Sequence, residues 1–182
     1  MFADLVKSTF SFLEHENGFR YKKLNERTAQ YERDDVFISL VHTQFDEIAF
    51  RAGLLSRGFD KGFSAGVIVA LTDPKKGFSL MDRMAFHSDQ IEDALLEHKD
   101  TLRKYGGRIL EGDVTVFDDL QGLVDSFWMK RGDSQIRQRA EAAFAAKDYE
   151  QAWQHYRSLG ERKKPLDKKR MEMCERRRTR NL

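Results

Sequence analysis

The sequence has little cysteine and no long apolar segment, and each shortage excludes a class of protein. Its 182 residues include one cysteine, Cys174, so no disulfide can form within the chain. The longest apolar run, residues 67–71, is far below the roughly 20 residues that a membrane-spanning helix needs. The first residues lack the basic start and the apolar run of a signal peptide. We therefore expect a protein of the reducing cytoplasm with no membrane segment.

Motifs that carry common chemistries are also missing. The five histidines show no i, i+4 spacing, no cysteine pair exists, and there is neither a Walker string nor a dinucleotide-binding glycine string. The string GFSAG at residues 62–66 fits the G-x-S-x-G pattern of serine hydrolases. A nucleophile elbow needs a strand before the serine and a helix after it, whereas residues 66–72 are apolar and indicate a strand. We therefore predict that the chain is not an enzyme, with no catalytic residue, no cofactor and no metal site.

His98 is the histidine with the most informative position. It lies on an otherwise apolar helix stripe, where a neutral imidazole needs a hydrogen-bond partner. A structural histidine with such a partner explains the pattern. An enzyme whose site is assembled from distant residues would have His98 and His42 as its candidates.

Hydrophobic spacing changes twice along the chain and predicts an α+β fold. Apolar residues recur with helical spacing in residues 2–15, and the period becomes two in four short segments between Phe19 and Leu54. The polar breaks between these segments are too short for crossover helices, which predicts an antiparallel β-meander. The apolar residues 66–72 indicate a fifth, central strand. After Pro74 the helical period returns in two helices that are expected to cover the sheet. Residues 88–89 are expected to cap the first of them, and Thr115 with Asp118 to form a partial capping box at the start of the second.

The pair Gly132 and Asp133 marks the predicted end of the α+β domain, because everything after it has helical spacing. We expect an α+β domain in residues 1–131 and an all-α extension in residues 132–182, whose last helix opens at Pro165. Two segments of the extension resemble part of a tetratricopeptide unit through Ala140, Ala143 and Phe144 and through Ala152, Trp153 and Tyr156. The resemblance implies a helical hairpin that docks on its own sheet domain or on another protein.

Charge is distributed unevenly between the two parts. Residues 157–182 hold 11 basic and 4 acidic side chains, a net charge of +7, whereas residues 1–156 hold 21 basic and 26 acidic ones, a net charge of −5. The acidic body can bind a basic protein, and the basic last helix can be solvated, dock on its own domain, or bind an acidic protein or the phosphates of a nucleic acid. The residues proposed for phosphate binding are Lys168, Lys169, Arg170, Arg176, Arg177 and Arg178.

Two surfaces are candidates for binding another protein. Acidic pairs that could mimic phosphate charge towards a nuclease are Asp34 with Asp35 and Asp46 with Glu47. Trp128 and Arg131 form the second candidate, because tryptophan and arginine often anchor protein interfaces. Core packing is the alternative role for Trp128 and its neighbour Phe127.

The first 55 residues resemble a class of small bacterial proteins. A helical Phe12-Leu13 followed by Asn17-Gly18-Phe19, and then the string YERDDV at residues 31–36 running into a strand, is similar to bacterial proteins of unassigned function and to toxin-neutralising immunity proteins. The resemblance implies a helix, an antiparallel meander and covering helices. It also implies a binding role in which the protein blocks a cognate toxin.

Overall fold

The computed structural model describes residues 2–44, 47–81, 86–87 and 91–178. Over these residues the chain forms nine α-helices and five β-strands. It divides into two compact units, Met1–Val124 and Asp125–Leu182. The fold class predicted from the sequence, α+β with a helical C-terminal part, is confirmed.

An antiparallel sheet organises the first unit. Its strands are β1 (Arg20–Asn25), β2 (Thr28–Arg33), β3 (Val36–His42), β4 (Glu47–Leu54) and β5 (Phe86–His87), each paired with the next. In the register, Tyr31 lies opposite Ile38, and Ile38 lies opposite Ala52. Because side chains alternate between the faces of a strand, these three residues share the face that forms the core. The predicted four-strand meander is therefore confirmed.

The predicted first helix is divided into two. Helix α1 (Phe2–Thr9) and helix α2 (Phe12–His15) are separated at Phe10, whose side chain is fully buried. The Tyr21 hydroxyl donates a hydrogen bond to the Ala3 carbonyl over 3.0 Å, and the Tyr31 hydroxyl donates one to the Val6 carbonyl over 3.3 Å. Burial raises the pKa of Tyr31 well above its usual range. These contacts fix α1 on the core face of the sheet.

The prediction of a central strand at residues 66–72 is wrong. These residues belong mainly to helix α3 (Ala65–Ala70), which is followed by helix α4 (Pro74–Met81). All of residues 66–70 are buried, so α3 is apolar on every side. A short apolar run has no period that distinguishes a buried strand from a buried helix. The fifth strand is instead the two-residue β5, which pairs with Glu47 and Ile48 of β4.

Three further helices follow β5: α5 (Ile91–Tyr105), α6 (Gly107–Leu110) and α7 (Val116–Ala145). The predicted α5 is confirmed and buries Leu95, His98 and Leu102. Its predicted cap at residues 88–89 lies outside the described residues. The capping box predicted at the start of α7 is not formed, because Asp118 accepts a hydrogen bond from Arg57 over 2.6 Å and the Thr115 hydroxyl donates to Asp113.

Helix α7 continues through Gly132 and Asp133, where the sequence predicted a boundary. A glycine inside a helix costs only about 1 kcal/mol. Asp133 is buried, and its Oδ1 atom lies 3.0 Å from the Arg162 Nε atom in an ion pair. This ion pair holds the turn of α7 at Asp133 in place. The division between the two compact units falls instead between Val124 and Asp125.

The second unit consists of the end of α7, helix α8 (Tyr149–Ser158) and helix α9 (Pro165–Arg178). Asp148 caps α8 by accepting a hydrogen bond from the Gln151 backbone N–H over 3.0 Å. The fully buried residues of this unit's core are Ala140, Ala152, Tyr156, Leu159 and Cys174. Each of the three helices contributes to that core, so none of them is an isolated appendage.

No helix in the described part of the chain is both long and apolar enough to cross a membrane.

Candidate functional site

The acidic residues proposed from the sequence lie at two ends of the sheet. Asp34 and Asp35 form the turn between β2 and β3, whereas Glu47 opens β4 at the far end of β3. The seven residues of β3 span roughly 20 Å at the usual rise of a strand. Asp46 lies outside the described residues. The structure therefore does not bring Asp34 and Asp35 together with Glu47.

Asp35 has a role within the fold. Its carboxylate accepts hydrogen bonds from the Ser56 backbone N–H over 2.8 Å and from the Ser56 hydroxyl over 2.6 Å. These bonds tie the segment after β4 to the turn before β3. Asp34 is different, because its side chain is 90% exposed and its backbone has a φ of 52° that aspartate tolerates in a tight turn.

Helix α5 carries an acidic face that the sequence motifs do not reveal. Asp93, Glu97 and Asp100 are exposed at i, i+4 and i+7 positions, on the side of α5 opposite its buried residues. Leu96 lies beside them and is 40% exposed. All four line a cleft of about 410 Å³ between α4 and α5. The helical spacing of the three acids was the signal, but acids at a helix start also occur simply to offset the helix dipole.

The other end of this cleft is basic. The Nζ atoms of Lys76 and Lys104 lie 5.6 Å and 5.2 Å from the centre of the Tyr105 ring. Both ammonium groups are thus positioned over the same aromatic ring. The cleft therefore presents an acidic half with an exposed leucine and a basic half built around tyrosine.

The structure brings Trp128 and Arg131 together on α7. Trp128 is 56% exposed and its neighbour Met129 is 54% exposed. The Arg131 guanidinium carbon lies 5.6 Å from the centre of the Trp128 ring. Phe127 is half-buried and meets the tryptophan ring edge-on. The alternative role of Trp128 in core packing is thereby excluded.

Three of the six basic residues proposed for phosphate binding make contacts inside the second unit. Arg170 donates hydrogen bonds to Glu141 over 2.5 Å and to the Tyr156 hydroxyl over 3.4 Å. Arg177 donates to the Tyr149 hydroxyl, and the Arg178 guanidinium lies 3.7 Å from the centre of the Trp153 ring. These arginines hold α9 against α7 and α8, so their guanidinium groups already have partners within the second unit.

Exposed lysines at the start of α9 remain available. Lys168 and Lys169 are exposed, as is Lys164, and Lys163 is half-buried. None of these four lysines forms an ion pair with another residue of the described ranges. Arg176 is also exposed, but it makes an interaction of its own within the structure. The available positive charge is therefore centred on residues 163–169 rather than on the arginines at the end of the helix.

His98 and His42 both lie near Ile48. His98 is buried, its Nε2 atom lies 3.2 Å from the Ile48 carbonyl oxygen, and its ring stacks on Phe50 with centres 5.6 Å apart. His42 lies opposite Ile48 in the sheet and its ring is 5.6 Å from that of Phe2. With Nε2–H as the donor to Ile48, His98 has the hydrogen-bond partner that its burial requires.

The unfolding free energy of the first unit should fall as the pH drops below about 6.5. Burial lowers the pKa of His98 below its usual value of 6.5, although the hydrogen bond to Ile48 opposes this. Between the two pKa values the unfolded chain binds a proton that the folded chain resists, so stability falls by up to about 1.4 kcal/mol per pH unit. Hydrogen exchange of β4 measured from pH 7.5 to pH 5 in the wild type and in His98→Gln would test this. Parallel pH profiles would contradict it.

Ser64 lies directly before a helix. A helix, α3, does follow the serine, contrary to the strand that the sequence indicated. Its backbone angles, φ −73° and ψ 164°, are those of ordinary extended chain, whereas a nucleophile elbow holds its serine in a strained turn. The serine occupies the N-cap position of α3 without a capping hydrogen bond from its side chain, and the residue before it, Phe63, makes an isolated bridge with Ala52. The backbone at Ser64 therefore does not have the geometry of a nucleophile elbow.

Among the described residues, no group of three or more His, Cys, Asp or Glu side chains is placed to hold a metal ion. The fold defines an α+β protein with a helical C-terminal part. Comparison with protein-family models, with curated proteins and with solved structures found no match. The resemblances to immunity proteins and to a tetratricopeptide unit therefore stay predictions.

Proposed function

We propose that this chain is a non-enzymatic, cytoplasmic protein-binding module whose partner binds the acidic face of α5. The observation that carries the proposal is the exposed Leu96 surrounded by Asp93, Glu97 and Asp100 at the edge of a cleft. An apolar contact within a ring of charge is the usual composition of a protein interface. The partner that complements this face has a basic surface with an apolar side chain at its centre.

A toxin with a basic active face fits that description, which is consistent with the immunity role that the sequence resemblance implies. The unit Met1–Val124 carries 16 basic and 21 acidic side chains, a net charge of −5. Such a field attracts a basic partner and speeds encounter. If the toxin is a nuclease, the carboxylates of α5 occupy the positions that substrate phosphates would take. The cognate toxin would then be inhibited by occlusion of its active face.

Reversing the three charges on α5 should abolish capture of the partner. We expect the tagged wild type, purified from its own cell with nuclease treatment, to retain a protein in stoichiometric amount. The variant Asp93→Lys, Glu97→Lys, Asp100→Lys should lose it, because attraction is replaced by repulsion and association slows by about tenfold or more. Mass spectrometry identifies and quantifies the retained protein.

A matched variant distinguishes a local effect of the α5 face from an effect of the unit's net charge. The substitutions Glu26→Lys, Asp60→Lys and Glu111→Lys change the net charge of the same unit by the same amount at exposed positions on other elements. This control variant should retain the partner as the wild type does. If both variants lose the partner equally, binding depends only on the net charge of the unit. If both retain the partner equally, the α5 face is not the binding surface.

Nucleic-acid binding is the second candidate function, favoured by the four lysines of residues 163–169. The unit Asp125–Leu182 carries 16 basic and 9 acidic side chains, a net charge of +7. Lysines without ion-pair partners can neutralise phosphates with a strong dependence on salt. The same purification tests this function: material rich in nucleic acid that loses its companions on nuclease digestion would favour it over the protein-binding proposal.

A further inference from the structure

We propose that the acidic face of α5 binds the start of α9 of a second copy of this chain, so that the chain associates with itself head to tail. The inference names a partner for the α5 face and to that extent rests on the proposed function. The contact joins the first unit of one copy to the second unit of another, and these units carry opposite net charges of −5 and +7. Opposite charges of this size draw the two surfaces together.

The first observation is the pattern of residues on α5. Leu96 is 40% exposed, and Asp93 and Asp100 lie three residues before it and four residues after it, on the same side of the helix. Glu97 is exposed next to the leucine. None of these three carboxylates forms an ion pair with another residue of the described ranges. The face therefore presents one apolar side chain between negative charges that have no ion-pair partner.

The second observation is the matching pattern at the start of α9. Leu166 is 54% exposed, and Lys163 and Lys169 lie three residues before it and three residues after it. Lys169 is on the same side of the helix as Leu166, while Lys163 belongs to the segment that leads into the helix. Neither ammonium group forms an ion pair within the part of the chain that the structure describes. This is the surface that the α5 face requires, because an apolar side chain lies between positive charges.

The third observation is that the two patterns have the same spacing. Three or four residues of a helix span about 4.5–6 Å along its axis. When Leu96 of one copy meets Leu166 of the other, the lysines beside Leu166 therefore reach the levels of the acids beside Leu96. The match holds for parallel and for antiparallel helices, because each leucine has charges on both sides.

The same patterns exclude the symmetric alternatives. Pairing α5 with a second α5 would bring carboxylates together, and pairing α9 with a second α9 would bring ammonium groups together. The contact is therefore between two different surfaces, which leads either to a closed ring or to a growing chain of copies. A second copy and a basic partner would compete for the α5 face.

Exchange of charge between the two surfaces tests this contact. We expect the purified wild type, freed of nucleic acid by nuclease treatment, to pass from the 21.3 kDa monomer to larger species over a micromolar concentration series in analytical ultracentrifugation, because the contact is small. The triple charge reversal on α5 described above and the α9 variant Lys163→Glu, Lys169→Glu should each associate about tenfold more weakly or worse, since like charges then meet. An equimolar mixture of these two variants should associate again. In that mixture each reversed surface meets the other reversed surface, and each native surface meets the other native surface.

Two matched variants control for net charge. They are Glu26→Lys, Asp60→Lys, Glu111→Lys in the first unit and Lys130→Glu, Lys147→Glu in the second, all at exposed positions on other surfaces. Both should associate as the wild type does. A wild type that stays monomeric throughout the series, or a mixture of the α5 and α9 variants that does not associate, would overturn the inference.

Capture of a partner from the cell separates this inference from the proposed function. If the purified wild type is monomeric but the triple reversal on α5 loses a captured protein, the self-association is wrong and the proposed function stands. If the triple reversal retains the captured protein, the proposed function is wrong, whether or not the purified chain associates with itself.

Discussion

The Asp167→Ala variant is expected to lose about 3–5 kcal/mol from the unfolding free energy of the second unit. The Asp167 side chain is 6% exposed, and one of its oxygens accepts hydrogen bonds from the Arg137 Nε over 2.9 Å and from the Lys164 backbone N–H over 2.8 Å. Burial alone would raise the pKa of Asp167, but these donors outweigh it and hold that pKa below its usual range.

Removing the carboxylate leaves two donors, the Arg137 Nε–H and the Lys164 backbone N–H, without the acceptor that they share. The Arg137 side chain is also largely buried and donates a further hydrogen bond to the Arg162 carbonyl over 2.8 Å, so it cannot turn to water without giving up that contact. Breaking a buried ion pair from one side is therefore much costlier than the net value of the pair. The second of these donors, the Lys164 N–H, lies at the start of α9, so this end of the helix loses its hydrogen-bond acceptor.

Tryptophan fluorescence in a denaturant series measures this effect, because both tryptophans of the chain, Trp128 and Trp153, lie in the second unit. Glu141→Ala is the control: it removes the exposed partner of Arg170 and should cost no more than about 1 kcal/mol. If Asp167→Ala costs no more than Glu141→Ala, the buried pair does not anchor α9 as described.

Gly77→Ala is expected to destabilise the first unit by roughly 3 kcal/mol or more. Gly77 lies on α4 where that helix crosses α3, and a Cβ added there would be 2.3 Å from the Ala70 backbone nitrogen and 2.4 Å from the Ala70 Cα. Overpacking in a core usually costs 1–3 kcal/mol when side chains can move, but here the obstacle is backbone. The two helices would have to separate.

Two further variants make this prediction specific. Gly122→Ala should stabilise its helix by about 0.5–1 kcal/mol, because a Cβ there meets nothing within 4 Å and alanine favours the helix. Ala70→Gly should not rescue Gly77→Ala, since the clash with the Ala70 backbone remains. Hydrogen exchange of peptides from β2 and β3 reports the stability of this unit. Rescue by Ala70→Gly, or similar effects of Gly77→Ala and Gly122→Ala on stability, would contradict the close approach of Gly77 to the Ala70 backbone.

The meander could be predicted because its signals are local. Alternation of apolar residues in β3 and β4 appears in the sequence with a period of two, and the breaks between the strands are too short for a helix. Helix α5 was equally visible through its apolar stripe. The error at residues 66–72 arose where every residue is buried, because a segment covered on all sides loses the periodicity on which such predictions depend.

The interaction surfaces could be predicted only in part. Trp128 and Arg131 were chosen for their residue types, and the helix brings them together because they are three residues apart. The acidic pairs near Asp34 and Glu47 were chosen for proximity in sequence, but a strand separates them in space. The acids of α5 were overlooked because acids near a helix start also occur simply to offset the helix dipole.

Sequence alone determined the α+β class, the antiparallel order of the first four strands and the opposite charges of the two parts, since each depends on composition or on short-range spacing. Only the tertiary structure decided that Arg170, Arg177 and Arg178 bind within their own unit, that Asp35 holds Ser56 and that Trp128 is exposed. Those outcomes depend on contacts between residues up to about 30 positions apart in the chain. Such contacts exist only after helices and strands pack, so a linear pattern does not encode which charge is used internally and which faces solvent.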